Sequence, residues 1–148
     1  MFYLKILTSN ELGYRKGILK TGQHFYISKE AKHFFPSLSS SIPNDYKLIP
    51  IKVEYSTHII EVKYVYHNDK YSRKKGTRDE YRIYVNREIS PDDYYFRPND
   101  ILIIEKKEND NVYYLSSLRS NSSLYSKIFE LIKNNSLRGN HAMVDSLI

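Results

Sequence analysis

Cysteine is absent from the 148 residues. Disulfides, thiolate metal sites and cysteine nucleophiles are therefore excluded, and the composition fits a reducing cytoplasm. Tryptophan is also absent, and glycine is scarce at five residues. No P-loop, dinucleotide-binding glycine pattern or HExxH can be traced, and Gly13 with Gly17 is too sparse to cradle a phosphate. The five histidines (His24, His33, His58, His67 and His141) never fall at close metal-ligand spacing. No cofactor and no metal is expected. No apolar run approaches the roughly 18–20 residues a membrane span needs. The opening Met1-Phe2-Tyr3-Leu4-Lys5 lacks the layout of a secretion signal. A cytoplasmic protein without membrane contact is expected.

Positive charge and tyrosine are abundant. The net charge is +6, and there are fifteen tyrosines. Tyrosine favours strands, where most of these are expected to be half-buried, and it also stacks at interfaces. The charge is clustered. From Lys63 to Arg87 eight basic residues face only Asp69, Asp79 and Glu80, a local +5. Such clustering favours a polyanionic partner more than the total charge does.

Short alternating segments dominate the chain. Strands are predicted at Phe2–Leu7, Gln23–Ile27, Tyr46–Tyr55, Thr57–Tyr66, Glu80–Val85, Ile101–Lys106 and Val112–Leu118. Pro50 suggests an edge or bulge within the third of these. Ser28 reads as the cap of a short helix from Lys29 to Phe35 that Pro36 ends, and Ser90-Pro91-Asp92-Asp93 as a second helix start. Ser123 to Lys133 carries Leu124, Ile128, Leu131 and Ile132 at helical spacing. Strands recur without the long intervening helices of a parallel sheet, so the class is mainly β with short helices, a compact barrel or pseudobarrel. One domain is expected over residues 1–135, with 136–148 a tail or the start of a linker.

The segment between the predicted strands ending at Tyr66 and beginning at Glu80 is a cationic hairpin. Its charge density assigns Arg73, Lys74, Lys75 and Arg78 to contact with DNA. Asp79 and Glu80 admit two readings. They can accept from base edges, as a glutamate does from cytosine N4, or they can neutralise Arg78 and Arg82 across the strands. Two other functions stay open: a small basic nuclease using His67 or His58 with Glu80, and an RNA-binding β-barrel with tyrosines as stacking platforms.

Several motifs, in order, resemble a known family. Leu7-Thr8-Ser9-Asn10-Glu11-Leu12-Gly13, a basic loop, Tyr26-Ile27-Ser28-Lys29 and Phe34-Phe35-Pro36 look like the opening of the DNA-recognition domains of restriction endonucleases such as EcoRII and BfiI. Thr77-Arg78-Asp79-Glu80-Tyr81-Arg82-Ile83 is similar to their Thr-Arg-Asn-Glu-(aromatic)-Arg pattern, with Asp79 in the place of Asn. Arg97-Pro98-Asn99-Asp100-Ile101 is similar to their Pro-Gly-Asp-hydrophobic turn.

The resemblance implies a seven-stranded, B3-like DNA-binding pseudobarrel gripping the major groove of double-stranded DNA with two arms. By position the N-arm is Ser9–Lys20, with Asn10, Tyr14, Arg15, Lys16 and Lys20 as contacts. The C-arm is Lys70–Arg82, with Lys70, Arg73, Lys74, Lys75, Thr77, Arg78, Asp79, Glu80 and Arg82. It implies a non-catalytic recognition domain that works with a nucleotide-hydrolysing motor and a nuclease, on further domains or subunits of a restriction enzyme. The short lead before the first strand points to the DNA-reading part of an McrBC-like system of the LlaJI type.

Overall fold

The computed structural model describes residues 1–12, 14–15, 18–19, 24–72, 76–85, 95–136 and 139–147, with backbone alone at 14–15, 18–19 and 72. Ten strands are found among these residues: β1 (Phe2–Ile6), β2 (Tyr14–Arg15), β3 (Ile18–Leu19), β4 (His24–Ile27), β5 (Tyr46–Val53), β6 (Ile60–His67), β7 (Glu80–Tyr84), β8 (Ile101–Lys106), β9 (Tyr113–Leu118) and β10 (His141–Val144). A 3-10 helix covers Lys29–Phe34, a single turn α1 covers Asp69–Ser72, and α2 covers Tyr125–Asn134. Eight strands form one sheet in the order β10-β1-β8-β9-β5-β6-β7-β4, and β2 with β3 forms a separate ribbon. Every pairing is antiparallel except β5 with β9.

The alternation that predicts β6 is also what curls the sheet round its core. Val62, Tyr64 and Tyr66 point inward and are buried, while Glu61 and Lys63 are exposed. Phe25 and Ile27 of β4, Ile49, Ile51 and Val53 of β5, Tyr81 and Ile83 of β7, and Tyr113 and Leu115 of β9 join them. Phe34 and Phe35 close this core from the 3-10 helix. Phe35 stacks on Tyr64 and Tyr113 at 4.8 and 5.2 Å between centroids. The expected cap is present, with Ser28 Oγ accepting from Glu30 N at 3.2 Å. A second apolar cluster lies on the outer face of β1 and β8, where Leu4, Ile6 and Ile101 meet Ile128 and Ile132 of α2.

Strand β4, at one end of the sheet, is joined to β1, the neighbour of the other end strand β10, by side chains rather than by a ladder. Lys5 Nζ donates to Tyr26 O at 2.7 Å, and Glu11 Oε2 accepts from Tyr26 N at 2.9 Å. Lys5 and Glu11 pair with each other at 2.7 Å, both almost fully buried. The backbone groups of Tyr26 on the open edge of β4 are thereby satisfied without a ninth strand. Ser28 N extends the seam by donating to the Tyr3 hydroxyl at 3.1 Å.

Three expectations resolve differently in detail. Pro50 lies inside β5 opposite Glu61, but pairing with β9 begins only at Ile51, so its missing N–H faces no ladder partner. The segment expected to lose its pattern contains β10, which pairs with β1 from Phe2↔Val144 to Lys5↔His141. The main sheet therefore has eight strands rather than seven. The helix predicted at Ser90 falls mainly outside the described residues. The turn at Arg97–Asp100 is present with Asn99 at φ 72°, a left-handed conformation that Asn or Gly tolerates. No helix among the described residues is long and apolar enough to cross a membrane.

Candidate nucleic-acid interface

Two excursions interrupt the strands, and each is tied off at its base. The first runs from Glu11 to His24, where His24 N donates to Glu11 O at 2.9 Å. Within it β2 and β3 pair as Tyr14↔Leu19 and Arg15↔Ile18, so the predicted basic N-arm loop is a ribbon. Asn10 is exposed in the turn before it. Tyr14 and Arg15 lie on β2, their side chains outside the described residues, as are Lys16 and Lys20 altogether.

The second excursion leaves β6 after His67 and returns at Glu80, its opposite partner on β7. Asn68, fully buried, donates to Ser39 O and Ile42 O at 3.0 and 2.7 Å and accepts from Asn44 N at 3.0 Å. Asp69 accepts from Arg78 N at 2.5 Å and from Arg78 Nε at 2.9 Å, while Lys70 N donates to Arg78 O at 3.0 Å. Gly76 packs so closely on the Asp69 carbonyl that an added Cβ would overlap it, so this position requires glycine. Arg73, Lys74 and Lys75 lie outside the described residues. Lys70 and Thr77 are exposed.

The acids of this C-arm have protein partners. Asp79 accepts from the Tyr66 hydroxyl at 2.6 Å and the Tyr71 hydroxyl at 3.3 Å, and it pairs with Lys29 of the 3-10 helix. Burial alone would raise its pKa, but Lys29 and the two hydroxyls outweigh burial and hold the carboxyl below its ordinary value. Glu80 pairs with Arg82 Nη2. The Arg82 guanidinium lies over the Tyr26 ring at 5.2 Å, and its Nε is buried without a hydrogen-bond partner among the described residues. Arg78 engages Asp69 through Nε, and its side chain remains 40% exposed.

His67 sits beneath the arm. Its Nδ1 is 3.2 Å from Asn44 Oδ1 and its Nε2 is 2.7 Å from the Tyr84 hydroxyl. Burial, followed by the charges of Arg82 and Arg78, lowers its pKa to about 4. It is a neutral structural histidine at neutral pH. His58 is exposed ahead of β6, at the opposite strand end from Glu80, so the pairing of His58 with Glu80 does not form. Among the described residues no group of His, Asp and Glu could hold a metal. Tyr3, Tyr64, Tyr66, Tyr81 and Tyr113 are buried in the core rather than presented as stacking platforms.

The arms stand at opposite ends of one strand pair. β4 and β7 run antiparallel with His24↔Tyr84 at one end and Ile27↔Tyr81 at the other. The N-arm enters β4 at His24, and the C-arm enters β7 at Glu80. Between them the outward side chains include His24 and Tyr26 of β4 and Arg82 and Tyr84 of β7. The rings of His24 and Tyr26 meet edge to face at 4.6 Å. His24, Tyr26, Lys29 and Tyr84 escape a reading by charge runs. Strand alternation puts Tyr26 on the face opposite Phe25 and Ile27, but only the β4–β7 register sets it beside Arg82.

No protein-family model and no curated protein matches the chain. Solved structures do. The N-terminal domain of Helicobacter pylori LlaJI.R1 is 16% identical over 98% of both chains, with a TM-score of 0.60. The Arabidopsis FUS3–DNA complex is 13% identical over 80% of this chain and 96% of that one, at 0.55. The UbaLAI restriction endonuclease B3 domain, a triple methionine mutant with cognate DNA, is 19% identical over 96% of this chain and 82% of that one, at 0.54. The curled eight-stranded sheet with its two tied-off excursions is thus a B3-like pseudobarrel fold.

Proposed function

We propose that the chain is a non-catalytic, sequence-specific reader of double-stranded DNA that holds the major groove between its two arms. The observation that carries this is the placement of the arms at opposite ends of β4 and β7. The four residue steps from Glu80 to Tyr84 span about 13 Å, close to the roughly 12 Å width of the major groove. The local +5 lies in and around the C-arm, where phosphates flank such a groove. Two of the similar structures, FUS3 and the UbaLAI B3 domain, are complexes with DNA.

In this reading Lys70 and the lysines of both arms neutralise phosphates, while Asn10, Thr77 and Arg78 face base edges. Asp69, Asp79 and Glu80 position the cations beside them. Other domains or subunits of a cytoplasmic restriction system would supply cleavage and nucleotide hydrolysis; the similar LlaJI.R1 structure is likewise an N-terminal domain. Selection from random duplexes, with and without methylated bases, tests the proposal. Enrichment of one short sequence, with affinity falling steeply in salt, is expected. Equal affinity for every duplex sinks the sequence-reading part, and preference for single-stranded RNA sinks the whole.

A further inference from the structure

The outward face between the arms does not stop at β7. The register carries one row of residues across four strands: Tyr26 opposite Arg82, Arg82 opposite Val65, and Val65, itself buried beneath its neighbours, opposite the exposed Tyr46. Three strand steps make this row about 14 Å long, roughly four base pairs at 3.4 Å each. The arms bound the face along the strands, so a groove held between them runs across the strands, along this row. Tyr46 is its far end, and Lys63, exposed on β6 two residues before Val65, sets its Nζ 4.7 Å from the centroid of the half-exposed Tyr46 ring.

Lys63 differs from the arginines of the C-arm. Arg78 and Arg82 each hold a carboxylate, whereas Lys63 makes no ion pair among the described residues. A phosphate can be taken up there without breaking a salt bridge. The Tyr46 ring steadies the flexible lysine and leaves its ammonium donors available. Glu61, exposed on the same face two residues earlier and opposite Pro50, places negative charge just beyond and limits the patch.

We infer that Lys63, steadied by Tyr46, binds a backbone phosphate of the duplex flanking the base pairs between the arms. The inference rests on the DNA-reading function proposed above. Anisotropy titrations over a salt series test it, with two duplexes sharing the selected site: one ending with the site, one extended on both sides. Lys63→Ala is expected to lower the salt slope by about one on the extended duplex and leave the short duplex unchanged. Arg78→Ala weakens both duplexes. An unchanged slope for Lys63→Ala on the extended duplex, while Arg78→Ala weakens both, overturns the flanking site and leaves the two-armed reading intact. If the wild-type chain binds neither duplex, the two-armed reading falls and the flanking site with it. Lys63 is solvent-facing, so Lys63→Ala should melt with the wild type, and Lys63→Arg should restore the slope.

Discussion

Asp79 accepts the Tyr66 hydroxyl across 2.6 Å, joining the C-arm to a residue packed in the barrel core. Tyr66 in turn stacks on Tyr81 at 4.3 Å with planes 6° apart. The arm is thus braced against an aromatic pair, and Lys29 and Tyr71 hold the same carboxylate. In a base-reading role this carboxylate would have to give up those partners.

Asp79→Ala is therefore expected to loosen the arm. Loss of one charged acceptor with three donors should cost about 1–3 kcal/mol of stability. Amide exchange should quicken over the segment from Asp69 to Asp79 before it quickens in β6. Duplex affinity should fall for all sequences alike, because the arm is less ordered. A fall confined to one base pair would show instead that Asp79 touches a base.

The seam between β1 and β4 yields a second expectation. Lys5 and Glu11 are both buried, and burial, partly offset by Glu11, lowers the pKa of Lys5. Removing one partner leaves an uncompensated charge beside the Tyr26 backbone. Glu11→Ala or Lys5→Met should cost about 3–5 kcal/mol in urea unfolding. The double variant Lys5→Met, Glu11→Leu should recover part of this, since no buried charge remains. Equal midpoints for Glu11→Ala and wild type would mean that the seam contributes nothing.

Acid should weaken the fold before ordinary carboxylates titrate. The folded-state pKa of His67 is lowered to about 4 from 6.5, and burial with the charge of Lys5 lowers that of His141 to about 3. Between those values and 6.5 the unfolded chain binds more protons than the folded one, so stability rises with pH there. The contribution is complete above pH 6.5 and is lost as the pH falls towards 4, about 1–3 kcal/mol for His67. His67→Gln should flatten the curve of melting temperature against pH in that window. An unaltered curve would relocate the effect.

Much of the fold was open to inspection in the chain. The strict alternation from Thr57 to Tyr66 marks β6, Ser28 and Pro36 bracket the 3-10 helix, and the glycine-like turn at Asn99 opens β8. Strand β10 was not, because His141–Val144 is too short to display a period and becomes a strand only by pairing with β1. The partners of the arm acids were equally hidden. Lys29 meets Asp79 across fifty positions, which neither charge counting nor spacing relates. The chain shows where cations cluster, and the register decides which of them are held by acids and which face outward.

Arg78 is where positioning and reading separate. Asp69 engages its Nε and its backbone N–H, fixing the direction of the guanidinium while the side chain stays 40% exposed. Its terminal nitrogens are then available for a bidentate contact with guanine O6 and N7. Arg78→Ala should cost about 1–3 kcal/mol and relax preference at one base pair. Lys70→Ala should weaken all sequences alike and lower the salt slope by about one. Asp69→Asn keeps an acceptor for the Arg78 backbone N–H but removes the charge orienting the guanidinium. It should blur the same base pair as Arg78→Ala without lowering the salt slope. Parallel selections with the three variants measure this. If Asp69→Asn leaves the selected sequence as sharp as wild type, the orienting role of Asp69 is wrong, whatever Arg78 contacts.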